Sequence, residues 1–106
     1  MKDRSKEFRI ITEELKELFL LKNEHYGDDY FSGGYSDIER WLSIKRKVAR
    51  LETYYKNEKI SKLPKETLTD TWMDLAIYCI MELMIKRRKK KWSFQFVFQR
   101  KRDQKL

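Results

Sequence analysis

Residues 64–88, which read PKETLTDTWMDLAIYCIMELMIKRR, decide the fold of this chain. Proline suits the first turn of a helix, and no other proline and no glycine follows Pro64. Between residues 72 and 85 the pattern is apolar on nearly every side of a helix, interrupted only by Asp74 and Glu82. Such a pattern is typical of a helix enclosed by its neighbours. We therefore expect a central helix over 64–88.

Two further helices are predicted upstream. Residues 4–24 carry apolar side chains at helical spacing. A capping box, Ser36-Asp37-Ile38-Glu39, begins a second helix that we expect to end near Lys56. Its expected inward stripe consists of Ile38, Trp41, Leu42, Val48, Ala49 and Tyr55. Lys45 and Glu52 interrupt that stripe. Each therefore needs either a partner of opposite charge or a side chain that extends its charged end to solvent.

The fold class that these patterns predict is all-α, a small bundle of three main helices. The helical domain is expected over residues 1–88, followed by a basic aromatic tail over 89–106. No run of about 20 apolar residues exists, so no membrane-spanning helix is expected. A single cysteine, Cys79, excludes an internal disulfide and is expected to be a small core residue. We expect a cytoplasmic protein.

The net positive charge of the chain comes entirely from its last 21 residues. Residues 86–106 hold ten Lys/Arg and one Asp, whereas residues 1–85 hold 15 Lys/Arg and 16 Asp/Glu. After the basic run the aromatic residues alternate with polar ones, and this period of two predicts a short strand. Such a strand needs to dock on the bundle or on a second chain, and we expect a homodimer.

The same tail is compatible with binding of single-stranded nucleic acid. Lysine heads can contact phosphates while bases stack on aromatic rings. The candidate residues for this role are Lys89, Lys90, Lys91, Trp92, Phe94 and Phe96.

All three glycines of the chain lie between residues 26 and 36, among four aromatic residues. This segment is interpreted either as a long connection between helices or as a loop that contacts a ligand. The only histidine, His25, precedes the segment and has no serine or cysteine partner at a catalytic spacing.

Glu66, Asp70 and Asp74 follow one another at intervals of four residues, on one stripe of the central helix. Like charges at this spacing repel, so the stripe needs compensation. Acids in the first turn interact favourably with the helix dipole. This interaction explains the position of Glu66 and, to a lesser degree, that of Asp70. Asp74 lies too deep for that explanation. Either a divalent cation such as Mg²⁺ or Lys45 from the second helix is expected beside it.

Three short motifs, in this order, resemble a known family. They are Lys22-Asn23-Glu24-His25-Tyr26-Gly27-Asp28, then Lys47-Val48-Ala49-Arg50-Leu51, then Glu66, Asp70 and Asp74 followed by Leu75 and Tyr78. The order and spacing resemble the nucleotide-modification-associated domain, a largely phage-borne family. That family is similar to the MazG-like all-α nucleoside triphosphate pyrophosphatases.

The resemblance implies a helical, often dimeric protein that holds Mg²⁺ against the phosphates of a nucleotide. Its implied metal ligands are Glu66, Asp70 and Asp74, and its implied nucleotide contacts are Lys22, Asn23, Tyr26, Lys47, Arg50 and Tyr78. Many relatives carry an aspartate where this chain has Arg46.

Two functions of different classes follow. The first is Mg²⁺-dependent binding or hydrolysis of a nucleotide, favoured by the acids of the third helix. The second is a non-enzymatic module that binds nucleic acid or a protein through its tail, favoured by Arg46 in place of the aspartate.

Overall fold

The computed structural model describes residues 2–26, 28–57 and 65–90, with side chains for 2–24, 28–57 and 67–88. Helix α1 spans Ser5–Tyr26, α2 spans Asp37–Lys56 and α3 spans Lys65–Lys90. Within these ranges there is no strand. The all-α class is therefore confirmed, while the strand predicted in the tail lies outside the described residues.

The start of α2 is the one predicted from the sequence. The Ser36 side chain accepts a hydrogen bond from the backbone N–H of Glu39 at 3.2 Å, and the Glu39 carboxylate accepts one from the backbone N–H of Ser36. These two bonds satisfy amides that the first turn of a helix leaves free. The capping box thus sets where α2 begins.

Helix α3 is the central element, as its sequence predicts. It packs against both other helices, and more extensively against α2 than against α1. The buried apolar side chains come from all three helices: Leu15, Leu51, Ile77 and Ile85. Among the described side chains none is completely enclosed. No helix in the described part of the chain is long and apolar enough to cross a membrane.

The orientation predicted for α2 is wrong. The residues expected to face inward are instead largely exposed: Ile38, Trp41, Leu42, Val48, Ala49 and Tyr55. The face that meets α3 carries Arg40, Lys47 and Leu51. Charged side chains take these inward positions because α3 presents acids to them. Lys45 and Glu52 therefore lie on the outer face and need no buried partner.

Cys79 also differs from its prediction, because it is exposed. Trp72 and Leu83 on the same helix are each about half exposed, at 49% and 50%. Within the described residues two helices pack against α3, and they leave this apolar stripe partly exposed. An apolar pattern on all sides predicted a central helix correctly, but it overstated how much of that helix is enclosed.

Candidate functional site

A cleft of about 430 Å³ opens where the three helices meet the loop between α1 and α2. Five of the residues predicted to bind nucleotide or metal line it: Lys22, Asn23, Lys47, Asp74 and Tyr78. Its other lining residues, which the sequence analysis did not assign to a site, are Phe19, Asp29, Tyr30, Tyr35, Ile77 and Met81. Positions far apart in the chain are therefore brought to one surface.

The charged centre of this cleft is a carboxylate shared by two lysines. Asp74 on α3 accepts a hydrogen bond at Oδ1 from Lys22 of α1. Its Oδ2 accepts one at 3.3 Å from Lys47 of α2. Asp74 keeps 19% of its side chain exposed and Lys47 keeps 24%, so both ionic heads remain in reach of solvent and of a ligand. The three groups together carry one excess positive charge.

The surroundings of Asp74 keep it ionised. Partial burial raises the pKa of this carboxyl, but the hydrogen bonds and positive charges of Lys22 and Lys47 outweigh burial and leave the pKa lowered. The structure thus answers the question of what compensates Asp74. The partners are Lys22 and Lys47. Lys45, which was one of the two alternatives expected from the sequence, is exposed.

The wall beside the charged centre is aromatic. The ring of Tyr30 lies 5.7 Å from that of Tyr35 and 6.0 Å from that of Tyr78, measured between centroids. Burial and the nearby charge of Glu82 raise the pKa of Tyr30 to about 12, so its hydroxyl stays protonated. Within the described residues this buried hydroxyl makes no hydrogen bond of good geometry. The glycine-containing segment therefore lines a cleft, which fits the ligand-contact interpretation.

A buried arginine holds this wall in place. Arg40 is 4% exposed, and its guanidinium donates to Glu82 of α3, to Asp37 and, at 2.8 Å, to the backbone carbonyl of Tyr35. Glu82 also accepts from Lys86 at 2.9 Å. Burial raises the pKa of Glu82, but the bonds from Lys86 and Arg40 outweigh it, so the pKa is lowered.

Arg40 was not among the residues predicted from the sequence. The sequence did contain a signal for such a residue. Glu82 is an acid within an apolar stretch, and it needs a cationic partner just as Asp74 does.

Several predicted residues lie elsewhere. Arg50 and Asp70 are exposed and do not line the cleft. The side chains of Tyr26, Glu66, Lys89 and Lys90 lie outside the described part, as do Lys91, Trp92, Phe94 and Phe96. Among the described side chains, no group of three or more histidine, cysteine or acidic residues is placed to hold a metal ion.

Acid should weaken the fold through Asp74. Because its pKa is lower in the folded protein than in the unfolded chain, its ion pairs stabilise the fold above the unfolded pKa of about 3.9. This stability is lost as the pH falls through the folded pKa. We expect the melting temperature to fall more steeply below about pH 4 in the wild type than in Asp74→Asn.

Thermal melts followed by circular dichroism between neutral and acidic pH measure this difference. Asp70→Asn is the matched control, because the Asp70 carboxylate is exposed, and it should follow the wild-type curve. Parallel curves for the wild type and Asp74→Asn would contradict the assignment.

Comparisons of the chain with protein-family models, with curated proteins and with solved structures returned no match, so the resemblance rests on the three sequence motifs alone.

Proposed function

We propose that the cleft binds the phosphate groups of a nucleotide together with Mg²⁺. The observation that carries the proposal is the sharing of one carboxylate, Asp74, by two lysines from different helices. An anionic ligand can take over the contacts of both ammonium groups. The site then gains charge-assisted hydrogen bonds without having to move the helices.

The aromatic wall suits the base of a nucleotide, as the lysines suit its phosphates. Tyr30, Tyr35 and Tyr78 stand beside the lysines in the same cleft. Nucleobases stack on tyrosine rings, and this stacking contributes about 1–3 kcal/mol per base. A ligand with a flat ring next to a polyanion fits this pairing better than an inorganic anion does.

The donor set fits Mg²⁺ only when the ligand contributes oxygens. Asp74 and Asp29 are the two carboxylates that line the cleft, and Mg²⁺ is usually held by one or two carboxylates with substrate phosphates and waters. When bound, the ion would neutralise and polarise the phosphate oxygens. Asp74 has two roles in this proposal. It holds the lysines in position in the free protein, and it would serve as a metal ligand when the lysines contact the phosphates instead.

A thermal-shift screen of nucleoside triphosphates, with and without Mg²⁺, tests the proposal. A nucleotide at ten times its Kd contributes about 1.4 kcal/mol to the folded state, which should raise the melting temperature by at least about 5 °C in a domain of this size. Asp74→Asn should lose the extra stabilisation that Mg²⁺ provides. It should still bind the metal-free nucleotide, because its lysines no longer neutralise a carboxylate.

The proposal would be rejected if no nucleotide raised the melting temperature of the wild type. If Mg²⁺ stabilised Asp74→Asn as much as the wild type, Asp74 would not be a metal ligand. Glu13→Gln is the control for a simple change of net charge, because it removes the same negative charge at an exposed position of α1 that does not line the cleft.

Hydrolysis of the nucleotide is the finer part of the proposal. Incubating each stabilising triphosphate with Mg²⁺ and measuring release of pyrophosphate and of phosphate separates binding from turnover. We expect Asp74→Asn to abolish any release that the wild type shows.

A further inference from the structure

An apolar groove of about 290 Å³ runs along the contact between α1 and α3. The buried side chains of Leu15 and Ile77 form its floor, and Ile80 on its rim is 42% exposed. Phe19, which Phe31 of the loop contacts edge-on, lies at the end nearest the cleft. The other described lining residues are Thr12, Lys16 and Met84, of which Lys16 alone is charged. The groove is thus an apolar surface that continues from the cleft between two helices.

This groove leads towards the C-terminal end of α3. Lys22 of α1 contacts Asp74 of α3 at the cleft. Ten residues earlier on α1, Thr12 lines the groove together with Met84, which lies ten residues later on α3. The two helices are therefore antiparallel, and the end of α3 lies beside the start of α1. Phe8, one turn before Thr12, is 73% exposed and extends the apolar surface in that direction.

The segment that follows α3 in the sequence has the composition that such a groove requires. Sixteen residues follow Lys90, the last residue of α3. Residues 92–99, which read WSFQFVFQ, form an uncharged run between basic residues and carry an aromatic residue at every second position. In an extended chain these four rings lie on one face. Burial of that face in an apolar surface is favourable because it removes the rings from water.

The length of this segment also fits the groove. Along α3, Met84 lies about 9 Å and Ile77 about 20 Å from Lys90, at a rise of about 1.5 Å per residue. An extended chain advances about 3.3 Å per residue, so a tail that turns back at Lys90 carries Phe94 about 13 Å and Phe96 about 20 Å along the same helix. A cavity of about 150 Å³ holds one benzene ring, so a groove of about 290 Å³ has space for both rings.

We propose that residues 92–98 of the chain's own tail dock in the groove between α1 and α3. Phe94 and Phe96 occupy the groove, and Trp92 packs against Phe8 near the start of α1. The polar side chains of the segment stay in water on its other face. Because the tail is tethered to α3, its effective concentration at the groove is on the order of mM, which a separate molecule does not reach at ordinary protein concentrations. The bundle is therefore favoured over a second chain as the docking site of this segment.

The reactivity of a single thiol in the full chain tests the proposal. In a Cys79→Ser background, Thr12→Cys places the only thiol in the groove, and Ala49→Cys places it at an exposed position of α2 instead. A groove that is covered about nine-tenths of the time reacts only when the tail detaches. We therefore expect maleimide to modify Thr12→Cys about tenfold more slowly than it does when Phe94→Ser and Phe96→Ser are added. The rate for Ala49→Cys should not change with these substitutions.

Two controls identify what covers the groove. Gln95→Ser alters the polar face of the same segment and should leave the protection of Thr12→Cys intact. Equal rates with and without Phe94 and Phe96 overturn the proposal. Protection that is lost when the protein is diluted also overturns it, because the groove would then hold the tail of a second copy.

A cross-link within one chain provides a second test, which does not depend on how well the serine variants fold. Lys16→Cys and Gln95→Cys, again with Cys79→Ser, place thiols on the rim of the groove and on the segment while all four aromatic rings remain. A short bismaleimide should join these two thiols within a monomer, as measured by denaturing electrophoresis and peptide mass spectrometry. It should not join Gln95→Cys to Ala49→Cys, because no residue of α2 is among the described lining residues of the groove. Absence of the first cross-link, or equal yields for the two pairs, overturns the proposal.

Discussion

Replacing Arg40 by Met is expected to lower the free energy of unfolding by about 3–5 kcal/mol, because it leaves the largely buried carboxylate of Glu82 without its buried partner. Glu82 is 16% exposed, and among the described ion pairs it would retain the one with Lys86. The carbonyl of Tyr35 would lose its donor as well. For a small domain whose total stability is about 5–15 kcal/mol, this is among the largest effects that one substitution can have.

Urea denaturation followed by circular dichroism measures this loss. The double variant Arg40→Met/Glu82→Gln should recover a large part of it, since no buried charge then remains unpaired. Arg4→Met is the matched control. It breaks an ion pair with Glu7 in which both side chains are about two thirds exposed, so it should cost less than about 1 kcal/mol. Equal losses for Arg40→Met and Arg4→Met would contradict the role assigned to Arg40.

The sequence predicts the helices well because their signals are local. Ser36 and Glu39 are three residues apart, so the capping box is legible without knowing the rest of the fold. The central position of α3 follows from its own apolar pattern. Neither prediction requires knowing which helix lies beside which.

The orientation of α2 fails because it depends on partners far away in the chain. The inward face carries Arg40 and Lys47, which a hydrophobicity pattern assigns to solvent. They are seven residues apart on α2, and their partners Glu82 and Asp74 are eight apart on α3, in the reverse order. Two antiparallel helices bring both pairs together at once. Only the packed structure shows that the acids within the apolar stretch compensate those inward cations.

Only part of the candidate site was predicted, because the rest depends on how the loop between α1 and α2 folds. The motifs identified Lys22, Lys47 and Asp74, which the fold brings into one ion-paired cluster. The tyrosines of the loop were noticed only as aromatic residues among glycines. Gly33, whose φ is +92°, helps the loop fold back so that Tyr30 and Tyr35 meet. The conformation of this loop depends on its backbone dihedral angles, and the spacing of residues in the sequence does not predict it.

Lys47→Met is expected to weaken nucleotide binding by about 10- to 100-fold, the effect of removing one charge-assisted hydrogen bond from a partly desolvated site. The proposed function underlies this prediction, and isothermal titration calorimetry with the best-binding nucleotide measures it. Loss of Lys47 also leaves Asp74 with one lysine, so part of the effect could arise from a less stable fold. The double variant Lys47→Met/Asp74→Asn separates the two causes. It should regain stability, because no partly buried carboxylate is left under-compensated, but it should not regain affinity, because the ammonium that contacts phosphate is still missing. If the double variant regained both stability and affinity, Lys47 would serve only to neutralise Asp74 and would not contact the nucleotide.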